Sequence, residues 1–273
     1  MRVHYIYRRS NIGVPYNLNV LLGDLLTYSE EVEEPNLEGV DVVILDDDID
    51  ESLARGIPFG RYLTGDNKDS IGAIDTEIAA TPPHRYKTDL LSGSILPLPI
   101  TQMDPLTTKD RIVLYTPEDS DNGVLNELVD VGSDPTGGFR VVYVENSSYM
   151  DSRRSRLKSM IYIGDCVSGV VGHGELEALQ FGCCVLSSGD HSNIMNLRRI
   201  NKGILGGFPT VGCNWMDISD TIATLVENPD YLKHMADRSK YWMSRNYSES
   251  WQRKMWMSWI LYLRSKGSQN SRR

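Results

Sequence analysis

The chain has 273 residues, a formal charge of −9, 40% hydrophobic and 24% charged residues. That length holds two modest domains with a sizeable core, and the composition is ordinary for a globular protein. The acidic balance excludes a general grip on nucleic-acid phosphates, and no apolar run approaches the roughly 18 residues of a transmembrane segment.

Strand-like and helical runs alternate, which predicts parallel sheets covered by helices. The opening MRVHYIYRRS reads as a strand over 2–7 and a turn, not as the apolar core of a secretory leader, so the expected compartment is the cytoplasm. A turn at 11–13 leads to a helix over 16–28, and the acidic stretch 30–39 reads as loop. Residues 40–45 form a continuous apolar strand ending in Asp46-Asp47-Asp48. Runs at 59–64 and 74–80 predict two more strands, the first followed by Gly65-Asp66-Asn67. Residues 82–91 read as a helix with prolines in its first turn. Pro97 and Pro99 make 95–100 an edge strand or a connector between domains.

Near residues 104–109 the pattern restarts, with strands at 111–115, 140–144 and 160–163 and helices at 122–131 and 153–158. Arg153, Arg154, Arg156 and Lys158 on the last of these helices read as a solvated basic face. Beyond residue 188, helices are predicted at 193–203, 218–226 and 229–241. Trp251, Met255, Trp259 and Leu263 recur at helical spacing, the core-facing stripe of a last long helix, and 266–273 reads as a frayed tail. The cysteines are Cys166, Cys183, Cys184 and Cys213, with no CxxC pair. A disulfide framework or zinc site is not expected; free buried thiols in a reducing cytosol are.

The richest stretch is GHGELEALQFGCCVLSS, residues 172–188. Gly172 and Gly174 form a turn open to backbone angles that side chains forbid. Glu175 and Glu177 follow where a helix start exposes unpaired N–H groups, Gly182 ends the helix, and residues 183–186 are an apolar strand. A helix start beside a glycine turn suits a phosphate. Physics alone leaves a second reading equally open, an ordinary helix–loop–strand with two solvated acids.

This segment resembles the donor-binding signature of the group 1 glycosyltransferases, retaining enzymes of the GT-B fold that use nucleotide-sugars. The matching positions are Gly172, Gly174, Glu177-Ala178, Gly182 and Val185-Leu186-Ser187-Ser188. The resemblance implies an α/β fold of two Rossmann-like domains facing a cleft, with a C-terminal helix crossing back to the N-terminal domain. It divides the chain into an abbreviated acceptor-side domain over 1–104, a donor domain over 105–250, and a crossover helix and tail over 251–273. By resemblance Glu177 holds the ribose of a UDP- or GDP-sugar, and the amides from Gly172 to Glu175 receive its diphosphate. The implied chemistry needs no metal and no bound cofactor, the nucleotide-sugar being a co-substrate. The acceptor is unidentified, and a second copy or a partner protein would complete the short acceptor side.

Two further residues are catalytic candidates. His173, between the two glycines, could donate to a phosphate or sugar oxygen, or else is an exposed loop histidine. Asp66 could position or deprotonate an acceptor hydroxyl, or else is a solvated turn residue. The chain departs from the family pattern at Gly169, where a second glutamate is usual, and at Glu118, Asp119 and Asp121, where cations are usual. Those departures support a second reading, a non-catalytic GT-B module that binds a nucleotide or a partner. A third reading uses Asp46 and Asp48 as an Asp-x-Asp metal chelate in an enzyme of the GT-A fold.

Overall fold

The computed structural model describes residues 1–7, 13–30, 34–46, 49–55, 57–63, 77–79, 100–101, 108–116, 138–144, 147–167, 172–188 and 207–270. The chain divides into two compact units, Met1–Thr101 with Glu249–Arg273, and Gln102–Ser248. Each unit carries a five-stranded parallel sheet.

In the first unit the strands are β1 (Val3–Tyr7), β2 (Leu26–Glu30), β3 (Val42–Asp46), β4 (Phe59–Leu63) and β5 (Glu77–Ala79). Their order is β2-β1-β3-β4-β5, so the chain winds outward both ways from β1. Every residue of β1 and β3 is buried, as expected for central strands covered on both faces. The helix expected over 16–28 is shorter. Helix α1 (Gly13–Leu22) stops at a 3-10 turn, where Gly23 has a φ of 59°, and Leu26 opens β2. The left-handed glycine breaks the helical run. The side chain of His4 on β1 then fixes the β1–β2 register, with Nδ1 2.7 Å from Thr27 Oγ1 and Nε2 3.0 Å from Ser29 Oγ.

The last helix of the chain returns to this unit. Its Gln252 side chain holds both backbone groups of Ile100, accepting from the N–H at 2.7 Å and donating to the carbonyl at 2.8 Å. Thr101 is fixed beside it by Asn17 of α1. The buried stripe of this helix is Gln252, Trp256, Trp259, Ile260 and Leu263, one register away from the expected stripe at its N-terminal half. Trp256 and Trp259 meet edge to face at 5.6 Å. The helix runs from Glu249 to Asn270, so most of the segment expected to fray is helical.

In the second unit the strands are β6 (Asp110–Tyr115), β7 (Arg140–Tyr143), β8 (Ser159–Ile163), β9 (Cys184–Ser187) and β10 (Thr210–Gly212). Their order, β10-β9-β8-β6-β7, reverses between β6 and β8, the kind of switch point where open parallel sheets bind ligands. Helix α2 (Tyr149–Lys158) starts four residues before the expected position, because Ser148 caps it by accepting from Asp151 N–H. It is followed by α3 (His173–Gln180), α4 (Ile218–Glu227) and α5 (Pro229–Asn246). Strand β10, three residues long, was not expected. The expected helices at 82–91, 122–131 and 193–203 and the connector at 95–99 lie outside the described residues. Among the described residues no helix is long and apolar enough to cross a membrane.

Candidate functional site

The carboxyl end of β8 turns through Gly164, Asp165 and Cys166, and α3 begins nearby at His173. Glu175 ties the two places together. Its Oε1 accepts from Asp165 N–H at 2.8 Å and its Oε2 from Gly172 N–H at 3.0 Å. A glutamate at the third helical position reaching back to the cap amide is half of a capping box. The carboxylate is pressed so closely against Gly164 that a Cβ there would stand 2.6 Å from Glu175 Cγ. Gly174 is equally constrained, since a Cβ would strike the Tyr162 hydroxyl. The glycines therefore serve close approach. Gly172 and Gly174 lack the left-handed angle expected of a glycine turn. Gly182 does, with a φ of 72°, and it ends α3 as expected.

One turn along α3, Glu177 is buried with 1% of its surface exposed. Its Oε2 accepts from Arg156 Nε at 3.2 Å and Nη2 at 2.9 Å, while its Oε1 accepts from the Tyr149 hydroxyl. Arg153 Nε lies 3.8 Å from Oε1, and Arg153 also donates to Tyr149 Oη at 3.4 Å. Burial opposes charge on Glu177, but His173, Arg156, Tyr149 and Arg153 outweigh it and hold the carboxyl below its ordinary range. The partner guanidinium is stabilised in turn. Burial works against Arg156, yet Glu177 and the tyrosines Tyr162 and Tyr149 raise its pKa.

These contacts correct two expectations from the sequence. Glu175 and Glu177 are not solvated acids, for both are buried. The basic face of α2 is not wholly solvated either, because Arg153 and Arg156 are each 5% exposed. Tyr149, Arg153 and Arg156 follow at positions i, i+4 and i+7, one face of the helix turned to α3. That spacing was the only signal for three residues that sequence reasoning missed. Tyr162 was missed as well; from the centre of β8 its hydroxyl reaches Thr116 Oγ1 at 2.8 Å, just past β6 at the switch point.

His173 is the first residue of α3. Its ring lies 5.9 Å from that of Tyr149, and Nδ1 is 4.0 Å from Glu177 Oε2. With a fifth of its side chain exposed, it stands between the buried cluster and solvent. The structure thus brings Gly172, His173, Gly174, Glu175 and Glu177 to one helix start. Asp66 lies outside the described residues, as do Glu118, Asp119, Asp121 and Gly169. Of the acidic run in the first unit, Asp46 ends β3 fully buried and accepts from the Tyr5 hydroxyl at 3.3 Å. Asp50 caps the next turn by accepting from Ser52 N–H, and Asp47 and Asp48 are outside the described residues. Both described aspartates have local structural duties, which lends the Asp-x-Asp metal reading no support.

Chemically, the site combines a helix start, whose first amides have no acceptor within the helix, with an ionised carboxylate braced by two guanidiniums. Such an arrangement can take a phosphate at the helix tip and hydroxyl groups at the carboxylate.

No protein-family model matches the chain, and no curated protein matches it in sequence. Solved structures do. An alpha-glucosyltransferase in complex with UDP and a 13-mer DNA superimposes with a TM-score of 0.61 at 10% identity, covering 96% of this chain and 99% of that one. HepE from Anabaena, in complex with UDP and glucose, gives 0.59 at 10% identity over 94% and 98%. TarM from S. aureus, in complex with UDP among other ligands, gives 0.55 at 11% identity over 80% of this chain. This chain spans only 55% of the length of TarM. These likenesses establish the fold, that of the GT-B glycosyltransferases with its two Rossmann-like sheets.

Proposed function

We propose that the chain is a glycosyltransferase that moves a sugar from a nucleotide-sugar to an acceptor hydroxyl. The observation that carries this reading is the start of α3, where Glu175 secures the loop and a buried, ionised Glu177 stands one turn below the helix tip. The UDP carried by structures of the same fold supports a UDP-sugar as the donor, ahead of a GDP-sugar. In this reading the diphosphate lies at the amides of His173 and Gly174, with His173 donating to a phosphate or sugar oxygen. The Gly172 amide is engaged by Glu175 and has a structural role.

Glu177 holds the ribose only if one carboxylate oxygen is released. Arg156 takes Oε2 through two nitrogens, whereas Oε1 has the single Tyr149 hydroxyl at short range. The ribose hydroxyls therefore replace Tyr149 at Oε1, and Arg156 keeps the carboxylate charged and oriented. The departing diphosphate is stabilised by the helix dipole and by the positive charge of α2, a preorganised field that needs no metal. Retention of anomeric configuration follows the family signature, and Asp66 is the acceptor-side candidate. A second copy or a partner completes the acceptor side.

Calorimetry with UDP, GDP and their sugars, paired with a donor-hydrolysis assay, tests the reading. It predicts binding of UDP and slow hydrolysis of at least one UDP-sugar. Binding without turnover supports the second reading, a non-catalytic nucleotide-binding module, which Gly169 in place of a glutamate favours. The absence of any binding removes both.

A further inference from the structure

The carboxyl end of β6 brings to the switch point one residue that the donor reading leaves unassigned. Ile161 and Ile163 of β8 pack in an apolar cluster with Ile218 and Ile222 of α4, so Tyr162 between them points to the opposite face, that of α2 and α3. Its buried hydroxyl stands there beneath the start of α3, in room that the missing side chain of Gly174 leaves for it. The same hydroxyl lies 2.8 Å from Oγ1 of Thr116, the residue that follows β6. Thr116 itself is only half-buried, which keeps it within reach of a ligand.

A second feature beside the helix start favours an anion at this place. Arg156 gives Nε and Nη2 to Glu177, while its third nitrogen, Nη1, donates to no acceptor among the described residues. That side chain is buried, and Nη1 lies 3.8 Å from the point a Gly174 Cβ would take, the point that the Tyr162 hydroxyl also crowds. A buried guanidinium N–H without an acceptor is costly, and an anion drawn to the helix start relieves that cost. The β6 side of the crevice offers no such charge, since the sequence from Ile112 to Phe139 has no lysine or arginine. A diphosphate there meets positive charge at α2 and α3 and only uncharged donors past β6. Thr116 is the first side-chain donor past that strand, and Tyr162 already orients it.

We propose that Thr116 is a ligand of the donor's diphosphate and that Tyr162 is its positioning residue; the inference rests on the nucleotide-sugar reading above. A hydroxyl both donates and accepts. In the free chain either oxygen of the pair can donate to the other. A diphosphate in the crevice fixes the order: Tyr162 donates to Thr116 Oγ1, and Thr116 donates to a phosphate oxygen. Neither group gives up its proton. Each bond in such a chain polarises the next, so the buried phenol strengthens the donor that the ligand meets.

Calorimetry of the full chain with UDP and with uridine separates this role from a purely structural tie between β6 and β8. Thr116→Val keeps the shape of the side chain and loses the hydroxyl. The expected result is a loss of UDP affinity of roughly tenfold or more, because a hydrogen bond to a charged group is lost. Uridine, which has no phosphate, binds as before. Thr116→Ser restores UDP binding, and Tyr162→Phe gives a smaller loss that adds nothing in the Thr116→Val background. Phosphorus NMR of bound UDP supplies a readout on the ligand itself, with phosphate resonances displaced in Thr116→Val and restored in Thr116→Ser. Should Thr116→Val fail to fold, Thr116→Ala and Tyr162→Phe carry the same comparison. An equal loss for UDP and uridine, an unchanged UDP affinity, or phosphate resonances identical to those of the wild type would each overturn the proposal. Failure of the donor reading is distinguishable: it shows as a wild type that binds no UDP, and it removes this inference too.

Discussion

Arg156 holds Glu177 through two nitrogens aimed at one carboxylate oxygen, Nε at 3.2 Å and Nη2 at 2.9 Å from Oε2. The pair joins α2 to α3 inside the second unit, where neither partner has appreciable contact with solvent. A forked guanidinium fixes the direction of the carboxylate as well as its charge. The other oxygen is thereby presented to whatever approaches past Tyr149.

Removing one partner strands the other. Glu177→Ala leaves the Arg156 charge buried without its carboxylate, and should cost about 3–5 kcal/mol of stability. Urea denaturation monitored by circular dichroism measures it. A loss below about 1 kcal/mol would mean that the pair is solvated in solution. Loss of nucleotide binding in this variant alone would be ambiguous, since the helix start is weakened too.

Tyr149→Phe avoids that difficulty. It frees Oε1 without touching the Arg156 pair, so a ribose no longer displaces a hydroxyl. One net hydrogen bond is worth about 1 kcal/mol, and the variant should bind UDP several-fold more tightly, up to about tenfold. Calorimetry reads this directly. A tenfold loss would assign the Tyr149 hydroxyl to the ligand instead.

The Gly174 position has no room for a methyl group. Gly174→Ala drives a Cβ into the Tyr162 hydroxyl and should cost roughly 1–3 kcal/mol. In a Tyr162→Phe background, where the obstructing oxygen is gone, the same substitution should cost clearly less. Thermal melts of the wild type and the three variants give the coupling. Additive effects would show that the contact is relieved elsewhere.

Glu177 also makes a pH prediction. Its folded-state pKa is depressed below the ordinary 4.5, so its stabilising contribution is fully present above that value. It is lost as the pH falls from 4.5 through the lower folded-state value. The Tm advantage of the wild type over Glu177→Gln should accordingly be constant near neutrality and shrink in acid below 4.5. An advantage independent of pH across that window would contradict the charged assignment.

Much of the scaffold was legible because buried parallel strands are continuous apolar runs. β1, β3, β6 and β8 were readable for that reason. β10, at three residues, is too short to carry a pattern, and β2 was absorbed into a helix because the break at Gly23 is a single backbone angle. Within the site, Gly172, Glu175, Glu177 and Gly182 stood out as one local motif. Arg153 and Arg156 did not, since an arginine-rich helix is solvated on average and its carboxylate partner lies 21 residues away from Arg156. The Tyr149 hydroxyl on Oε1, which changes how a ligand must enter, is a tertiary fact that local spacing cannot carry.

A nucleoside diphosphate at the start of α3 shields the amides there, and hydrogen exchange of the full chain with and without UDP reads that shielding. The expected result is slowed exchange across residues 164–180, strongest at the amides of His173 and Gly174, with little change in the first unit's β1 and β3. Protection confined to other segments while UDP demonstrably binds, or saturating UDP that leaves the 164–180 amides unaltered, would contradict it.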